Sequence, residues 1–322
     1  MNEVILWNFI LKAISLNKKV VLLVVAESSD SSPGKQGFKM AVNEEGETVG
    51  TIGGGIMEKD MIEYALDIRF GNESRLIKKL HHTDKTNFEK SGLICGGFQT
   101  IIFSVIDKSQ TTLVENILSS IKEKQNNELI ITPKRIEYNT ADSILNVSFT
   151  NISDEDWEYK ENIGVPLISY IAGGGHVGLA VSRVMKTLGF YVVVFDHRED
   201  VFTIEQNSFA DEIIIARYED IGKKIIESER SYIIIVTPMH TGDEATLKSV
   251  IGKKVNYIGM MGSKRKIKNI FDALLADGID GELLQRVHTP IGIEIEAETP
   301  EEIAISIAAE IIKVKNQPDS GR

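Results

Sequence analysis

Short apolar segments alternate with amphipathic segments through the second half of the chain, which predicts alternating strands and helices. The predicted strands comprise residues 167–172, 191–195, 212–215, 232–236 and 255–258. Helices are predicted to end at Leu188 and to begin at Glu219, Asp243 and Ser263. Apolar strands that alternate with helices are typical of a parallel sheet covered on both faces. We therefore expect a Rossmann-like α/β domain over residues 161–322.

The first half of the chain predicts a smaller mixed α+β domain over residues 1–160. Apolar residues recur at helical spacing over residues 4–16, 56–70 and 112–124. Strand-like segments cover residues 20–25, 38–42, 47–52, 76–80, 98–106, 129–136 and 144–149. The second and third of these are close enough in sequence to form a hairpin.

The last helix of the chain has a clear start signal. Thr299, Pro300 and Glu302 supply an N-cap, a first-turn proline and the second half of a capping box. Apolar residues then recur at helical spacing as far as Val314. This segment is predicted to be structural.

The composition is that of a folded protein with an acidic surface. Apolar residues make up 42% of the chain, and 47 acidic against 36 basic residues give a net charge of −11. A negative protein repels a phosphate backbone, so we expect no nucleic-acid partner. The apolar stretches are shorter than the roughly 20 residues of a spanning helix, and residues 1–17 lack the features of a signal peptide. We expect a cytoplasmic protein without membrane contact.

The sharpest local signal is the segment IAGGGHVGLA between a predicted strand and a predicted helix. Gly173, Gly175 and Gly178 form a GxGxxG pattern, and Asp196 closes the next strand. In this context the glycines let a diphosphate approach the helix N-terminus, and the acid suits a ribose hydroxyl. The alternative is that the glycines serve only the packing of strand against helix.

Polar residues that follow the other strands of the same domain meet at one edge of a parallel sheet, where ligands bind. They include His176, His240, Ser263, Lys264 and Arg265. The last three begin a helix and suit a terminal phosphate. A solvated basic helix face explains them equally well, and a structural role remains the alternative for each histidine.

Two glycine turns of the first domain are the remaining candidates. Gly53, Gly54 and Gly55 lead into a helix whose first turn holds Glu58, an acid that also simply suits the helix dipole. Cys95 is the single cysteine, and Gly96 follows it. One thiol excludes zinc or iron–sulfur sites made of several cysteines. It is either a residue at a ligand or an inert buried side chain.

Five separated motifs occur in order: GTIGGGIMEKD, ICGGF, AGGGHVGLA, YIGMMGSKRK and PIGIEIEAETPEEIAISIAAEI. The set resembles the XdhC/CoxI family of xanthine dehydrogenase maturation factors. The resemblance implies a chaperone, rather than an enzyme, that binds molybdenum cofactor as molybdopterin or its dinucleotide. Such a protein delivers the cofactor to a molybdenum hydroxylase of the xanthine dehydrogenase type, in purine catabolism. A cysteine desulfurase or other sulfurtransferase as partner, and a homodimer, are further implications.

The resemblance also assigns residues. The triple glycine with Glu58, the CGG turn at Cys95 and the turn from Gly173 to Gly178 match family motifs, which makes Cys95 a candidate molybdenum ligand. Met239 departs from the family where an acid often precedes His240. Glu294 and Glu296 depart where Asp and Gly are common.

Two other functions are compatible with the same residues. An NAD(P)-dependent oxidoreductase would use the GxGxxG turn and Asp196 for its cofactor, with His240 as proton donor. A pure assembly platform would bind neither ligand.

Overall fold

The computed structural model describes residues 3–29, 32–68, 75–81, 97–141 and 147–317. The chain divides into two units, Met1–Val165 and Pro166–Arg322. The elements of the first unit are α1 (Glu3–Ser15), β1 (Val20–Ser28), β2 (Lys39–Asn43), β3 (Thr48–Gly50), α2 (Gly55–Ile68), β4 (Arg75–His81), β5 (Phe98–Ile106), α3 (Thr111–Glu123), β6 (Asn127–Ile131), β7 (Ile136–Thr140), β8 (Ser148–Ser153) and β9 (Asp156–Ile163).

A five-stranded antiparallel sheet in the order β3-β2-β1-β5-β4 forms the centre of the first unit. Its central strand β1 is buried on both faces, because successive side chains of a strand point to opposite sides. Leu22 and Val24 join the cluster formed with α1, whereas Val21 and Leu23 join the cluster formed with α2. The predicted buried strand and the predicted hairpin of β2 and β3 are confirmed.

A second sheet of the first unit corrects the sequence prediction. Residues 129–136 do not form one strand: β6 and β7 are separate and antiparallel, joined by a turn in which the Thr132 amide donates to the Arg135 carbonyl at 2.9 Å. The prediction also missed β9, and the sheet has the order β7-β6-β9-β8. Only alternate residues of β9 at its start, Trp157 and Tyr159, are well buried. Of the predicted strand 144–149, residues 144–146 lie outside the described residues.

Buried charges join the beginning and the end of the first unit. The Lys39 ammonium lies 2.9 Å from the Glu3 carboxylate and also pairs with Glu161. Only 1% of the Lys39 side chain is exposed. Burial lowers the pKa of Lys39, but the charges of Glu161 and Glu3 more than offset this and raise it. Helix α1, strand β2 and strand β9 therefore share one ion cluster.

The second unit has the predicted α/β architecture. Its elements are β10 (Ile168–Ala172), α4 (His176–Thr187), β11 (Tyr191–Asp196), α5 (Phe202–Glu205), β12 (Glu212–Ile215), β13 (Ser228–Ile235), α6 (His240–Val250), β14 (Val255–Met260), α7 (Lys264–Ala276), α8 (Gly281–Gln285), β15 (Val287–His288) and α9 (Pro300–Lys315). The strands form a parallel sheet in the order β12-β11-β10-β13-β14-β15.

The strand order reverses between the neighbours β10 and β13. The chain adds β11 and β12 on one side of β10, and then β13, β14 and β15 on the other side. The loops at the carboxyl ends of such a pair leave a crevice where ligands bind. Helices α4 and α9 contribute to the buried cluster on one face of the sheet, and α6 and α7 to the cluster on the other.

One helix of this unit differs from the prediction. The helix expected from Glu219 is a 3-10 helix, Tyr218–Lys224. Its Gly222 is pressed against α6, where a Cβ atom would lie 2.1 Å from the Ser249 carbonyl oxygen. The close packing of this 3-10 helix against α6 therefore requires glycine at position 222. Among the described residues, no helix has the length and apolar character needed to cross a membrane.

Candidate functional site

The glycine turn after β10 contains glycines with two different environments. Gly173 has φ +117°, and a Cβ atom there would lie 2.5 Å from the Val236 carbonyl oxygen. A Cβ atom at Gly178 would lie 1.9 Å from the Gly173 carbonyl oxygen. Packing alone therefore requires these two glycines.

Gly175 is not required by packing. No atom would lie within 4 Å of a Cβ built at Gly175, and its φ of −72° is open to any residue. It is the N-cap of α4, and no side chain makes a capping hydrogen bond there. Open space thus adjoins Gly175 at the uncapped start of α4, and the first amides of a helix suit an anion or phosphate.

Asp196 lies beside this turn and is fully buried. Its Oδ2 accepts hydrogen bonds from the Gly174 amide at 2.8 Å and from Arg198 Nη2 at 2.9 Å. Its Oδ1 accepts from Arg198 Nε at 2.9 Å and from the Arg198 amide at 3.0 Å. Burial raises the pKa of Asp196, but these hydrogen bonds outweigh it and hold the pKa below its ordinary value. The acid expected to bind a ribose is already paired within the protein.

The loop after β13 is held by a second buried acid, Asp243. Its Oδ1 accepts from the Thr237 amide at 3.0 Å and from the Thr237 hydroxyl at 2.6 Å, and its Oδ2 pairs with Lys266. Burial raises the pKa of Asp243, although Lys266 and Thr237 oppose the effect. Sequence reasoning missed this role, for which the only signal was an acid in the first turn of a helix after a strand.

The basic residues at the start of α7 differ in their surroundings. Ser263 is the N-cap of α7, as predicted, and its hydroxyl accepts from the Lys266 amide. Lys264 and Arg265 are exposed, whereas the Lys266 side chain points to Asp243 and α6. His240 is exposed at the first position of α6, directly after the exposed Met239.

A groove of about 490 Å³ runs along α4. Its lining comes from α4, from the loop after α5 and from the start of α9: His176, Leu179, Ala180, Arg183, Gln206, Ser208, Phe209, Pro300 and Glu301. The structure thus places His176 in this groove. The Arg183 guanidinium lies 5.2 Å from the centroid of the Phe209 ring.

In the first unit, Glu58 ties down the triple-glycine turn. Its Oε1 accepts from the Ile52 amide at 2.8 Å, from the Gly54 amide at 2.9 Å and from the Thr51 hydroxyl. Gly53, Gly54 and Gly55 all have positive φ, at 134°, 83° and 74°. A carboxylate of the protein therefore occupies the amides that a ligand anion would use.

A buried amide that the sequence did not single out supports the same turn. Gln99 Nε2 donates to the Ile52 carbonyl at 3.0 Å and to the Gly34 carbonyl at 3.3 Å. Cys95 and Gly96 lie outside the described residues. Within the described part of the chain, no group of three His, Cys, Asp or Glu side chains is arranged to hold a metal ion.

The strand order and the open glycine turn define a Rossmann-type protein. A family model described as the XdhC Rossmann domain matches residues 170–311, and one described as the XdhC and CoxI family matches residues 13–79. Together they cover more than half of the chain. The chain belongs to the XdhC and CoxI family.

Two relatives match over almost the whole chain. The uncharacterized protein YqeB of Escherichia coli K12 is 25% identical over 301 residues, which are 92% of this chain but 44% of that protein. The chain thus spans less than half the length of this relative. A probable xanthine dehydrogenase subunit of Bacillus subtilis 168 is 21% identical, with 93% of this chain and 94% of that protein covered.

A solved structure shares the fold. The crystal structure of a xanthine dehydrogenase from Bacillus halodurans aligns with a TM-score of 0.74 at 21% identity. The alignment covers 100% of this chain and 98% of that one.

Proposed function

We propose that this protein serves a xanthine dehydrogenase system as an accessory protein that binds molybdenum cofactor and delivers it to a molybdenum hydroxylase. Family membership supports the accessory role, as does the end-to-end match to a relative named as a probable component of xanthine dehydrogenase. The observation that carries the binding proposal is the open space at Gly175, because packing does not explain that glycine.

The second unit would hold the phosphate of the cofactor. Gly175 and the first amides of α4 receive the phosphate at the uncapped helix start. The net charge of −11 disfavours the binding of an anion on average. We therefore assign the long-range attraction of the cofactor phosphate to the exposed Lys264 and Arg265. His240 is the proposed contact from α6.

A separate proposal concerns Cys95 of the first unit. Cys95 is the proposed thiolate for molybdenum, since sulfur ligands suit soft metal centres better than the hydroxyl of serine. Glu58 then acts by fixing the triple-glycine turn, not by touching the cofactor. A sulfurtransferase and the client hydroxylase are the proposed partners, and a homodimer is the proposed assembly.

Replacement of Gly175 by alanine tests the proposal. The added methyl group fits the fold, because nothing lies within 4 Å of it, but it fills the space that the phosphate needs. We expect Gly175→Ala to retain molybdenum cofactor at least about tenfold less well than the unmodified protein, which corresponds to about 1.4 kcal/mol. Retention is measured as molybdenum and oxidised pterin that remain after desalting. Transfer is measured as the activity restored to an apo-hydroxylase.

Gly252→Ala is the matched control. Gly252 lies in the same unit, also has open space around its Cβ position, and has no positive φ. The Gly252→Ala variant should retain as much cofactor as the unmodified protein. Equal retention by both variants contradicts the phosphate site, and stoichiometric NAD(H) with hydride transfer to a substrate would establish the oxidoreductase instead.

A further inference from the structure

The carboxylate of Asp196 has no acceptor position left for a ribose diol. A carboxylate offers about four lone-pair positions. In this structure the Gly174 amide and three N–H groups of Arg198 occupy four, all within 3.0 Å. His197 Nδ1 lies 3.4 Å from Oδ1 as a further neighbour. A nucleotide with free ribose hydroxyls would have to displace the guanidinium to reach this acid.

Arg198 keeps donors for a ligand of the opposite charge. A guanidinium carries five N–H donors, and those of Nη1 have no hydrogen-bond partner within the described part of the chain. The side chain is 39% exposed. Its bidentate contact with Asp196 fixes the plane of the guanidinium next to the glycine turn. This group matches the geometry of a phosphate, which accepts hydrogen bonds from a guanidinium in the same bidentate manner.

An unpaired buried hydroxyl lies beneath the same edge. Tyr218 is 6% exposed, and in the described residues its hydroxyl has no hydrogen-bond partner. Its ring packs against His197 with ring centroids 5.0 Å apart. Gly242 at the start of α6 fits closely against the same ring, since a Cβ atom would lie 2.9 Å from Tyr218 Cε2. A polar group buried without a protein partner is unusual, and a water, an ion or a ligand group can supply the missing hydrogen bond.

The hydrogen-bond donors at this edge suit a phosphate better than a diol. Asp196 alone would repel a phosphate, but its bidentate pair with Arg198 cancels the negative charge. Arg198 and His197 can both donate hydrogen bonds to an oxyanion, and the exposed acids Glu199 and Asp200 follow them in the same loop.

We propose that the second unit binds a nucleotide whose ribose carries a phosphate, and that Arg198 selects this nucleotide over one with a bare ribose diol. The proposal covers a phosphate on either the 2′ or the 3′ oxygen of the ribose. Nucleotide selectivity and cofactor delivery are separate measurements, so either can fail without the other.

Titration calorimetry with NADP⁺ and NAD⁺ tests the proposal on the full chain. We expect NADP⁺ to bind at least about tenfold more tightly, because only its 2′-phosphate meets the guanidinium. Adenosine 2′,5′-bisphosphate and 3′,5′-bisphosphate, each compared with AMP, distinguish a 2′- from a 3′-phosphate. Preference for either bisphosphate supports the proposal. Equal or tighter binding of NAD⁺ and AMP, or no binding of any probe, overturns it.

Arg198→Gln should remove the preference and strengthen NAD⁺ binding, because Asp196 then becomes available to the diol. Arg198→Lys keeps the charge but loses the bidentate geometry, and should lower the preference several-fold without loss of folding. Arg217→Gln is the matched control, since Arg217 also pairs with an acid, Asp220, but is 76% exposed. An equal loss of both nucleotides in Arg198→Lys, with an unchanged melting temperature, contradicts a selective role.

Discussion

Individual glycines in one turn are held by different partners, and the sequence pattern cannot separate them. Gly173 is fixed by the Val236 carbonyl, which belongs to the loop after β13, far along the chain. Gly175 has no such neighbour. The GxGxxG pattern predicted the turn and its place between strand and helix correctly. Which glycine is open to a ligand depends on packing between segments that are distant in the sequence. That packing is seen only in the structure.

Asp196 and Glu58 show the same limit for acids. The sequence identified both as candidates for binding a ligand, but it does not reveal which donors surround them. Arg198 lies two residues from Asp196, and the Gly54 amide lies four residues from Glu58. Both acids are bound by their own loops. The sequence therefore predicted the neighbourhood of the candidate site better than the role of each residue.

Replacement of Glu58 by alanine is expected to destabilise the first unit. The change removes acceptors for the Ile52 and Gly54 amides and leaves these donors without their carboxylate partner. Loss of such hydrogen bonds costs about 1 to 3 kcal/mol. A thermal melt followed by circular dichroism should show a lower transition temperature.

Glu63→Ala is the control for that change, because Glu63 lies on the same helix α2 but is 67% exposed in a loose pair with Lys59. Its effect should be below about 0.5 kcal/mol. If both variants melt alike, the Glu58 carboxylate is not what holds the glycine turn.

At the scale of elements, Glu310 attaches the last helix to the parallel sheet. Its Oε2 accepts from the Tyr257 hydroxyl at 2.5 Å and from the Gly292 amide at 2.9 Å. His288 Nδ1 lies 3.4 Å from Oε1. Burial raises the pKa of Glu310, but the hydrogen bonds from His288, Tyr257 and Gly292 outweigh it and place the pKa below the ordinary value of 4.5.

This contact should make stability depend on pH in the acidic range. A carboxyl group whose pKa is lower in the folded state stabilises the fold above its unfolded pKa, and the contribution disappears as the pH falls through the folded pKa. The melting temperature of the unmodified protein should therefore exceed that of Glu310→Gln near pH 7. The difference should decrease as the pH falls below about 4.5. A difference that stays constant from pH 7 to pH 3.5 would contradict this role, and Glu301→Gln on the exposed side of α9 serves as the control.

Helices and strands whose apolar residues recur at a regular spacing were predicted well. Elements without such a regular spacing were not. The buried strands of both units and the capping box of α9 follow directly from local patterns. The sheet of β6 to β9 does not, because its strands are partly exposed and its hairpin turn lacks a glycine. Such strands are defined by pairing with one another, which a single-sequence pattern does not report.

At the scale of the whole molecule, the second unit has its own core. Its two buried clusters draw on residues between 168 and 311, on the two faces of the parallel sheet. A chain with a complete core of this size is expected to fold alone. Residues 166–322 expressed by themselves should therefore show one cooperative thermal transition and native-like helical circular dichroism.

The same fragment provides an independent test of the architecture. A fragment that stays unfolded, or that melts without cooperativity, would show that residues 1–165 supply part of its core. The complementary test is to express residues 1–165, whose buried clusters lie between residues 6 and 163.

The ion cluster around Lys39 can be completed only late in the synthesis of the first unit. Glu3 and Lys39 lie close together in the chain, whereas Glu161 comes from the last strand of the same unit, 122 residues after Lys39. The nascent helix α1 and strand β2 can meet early, but Lys39 has only one of its two carboxylates until translation passes residue 161. Translation must therefore run nearly to the end of the first unit before this ion cluster is complete.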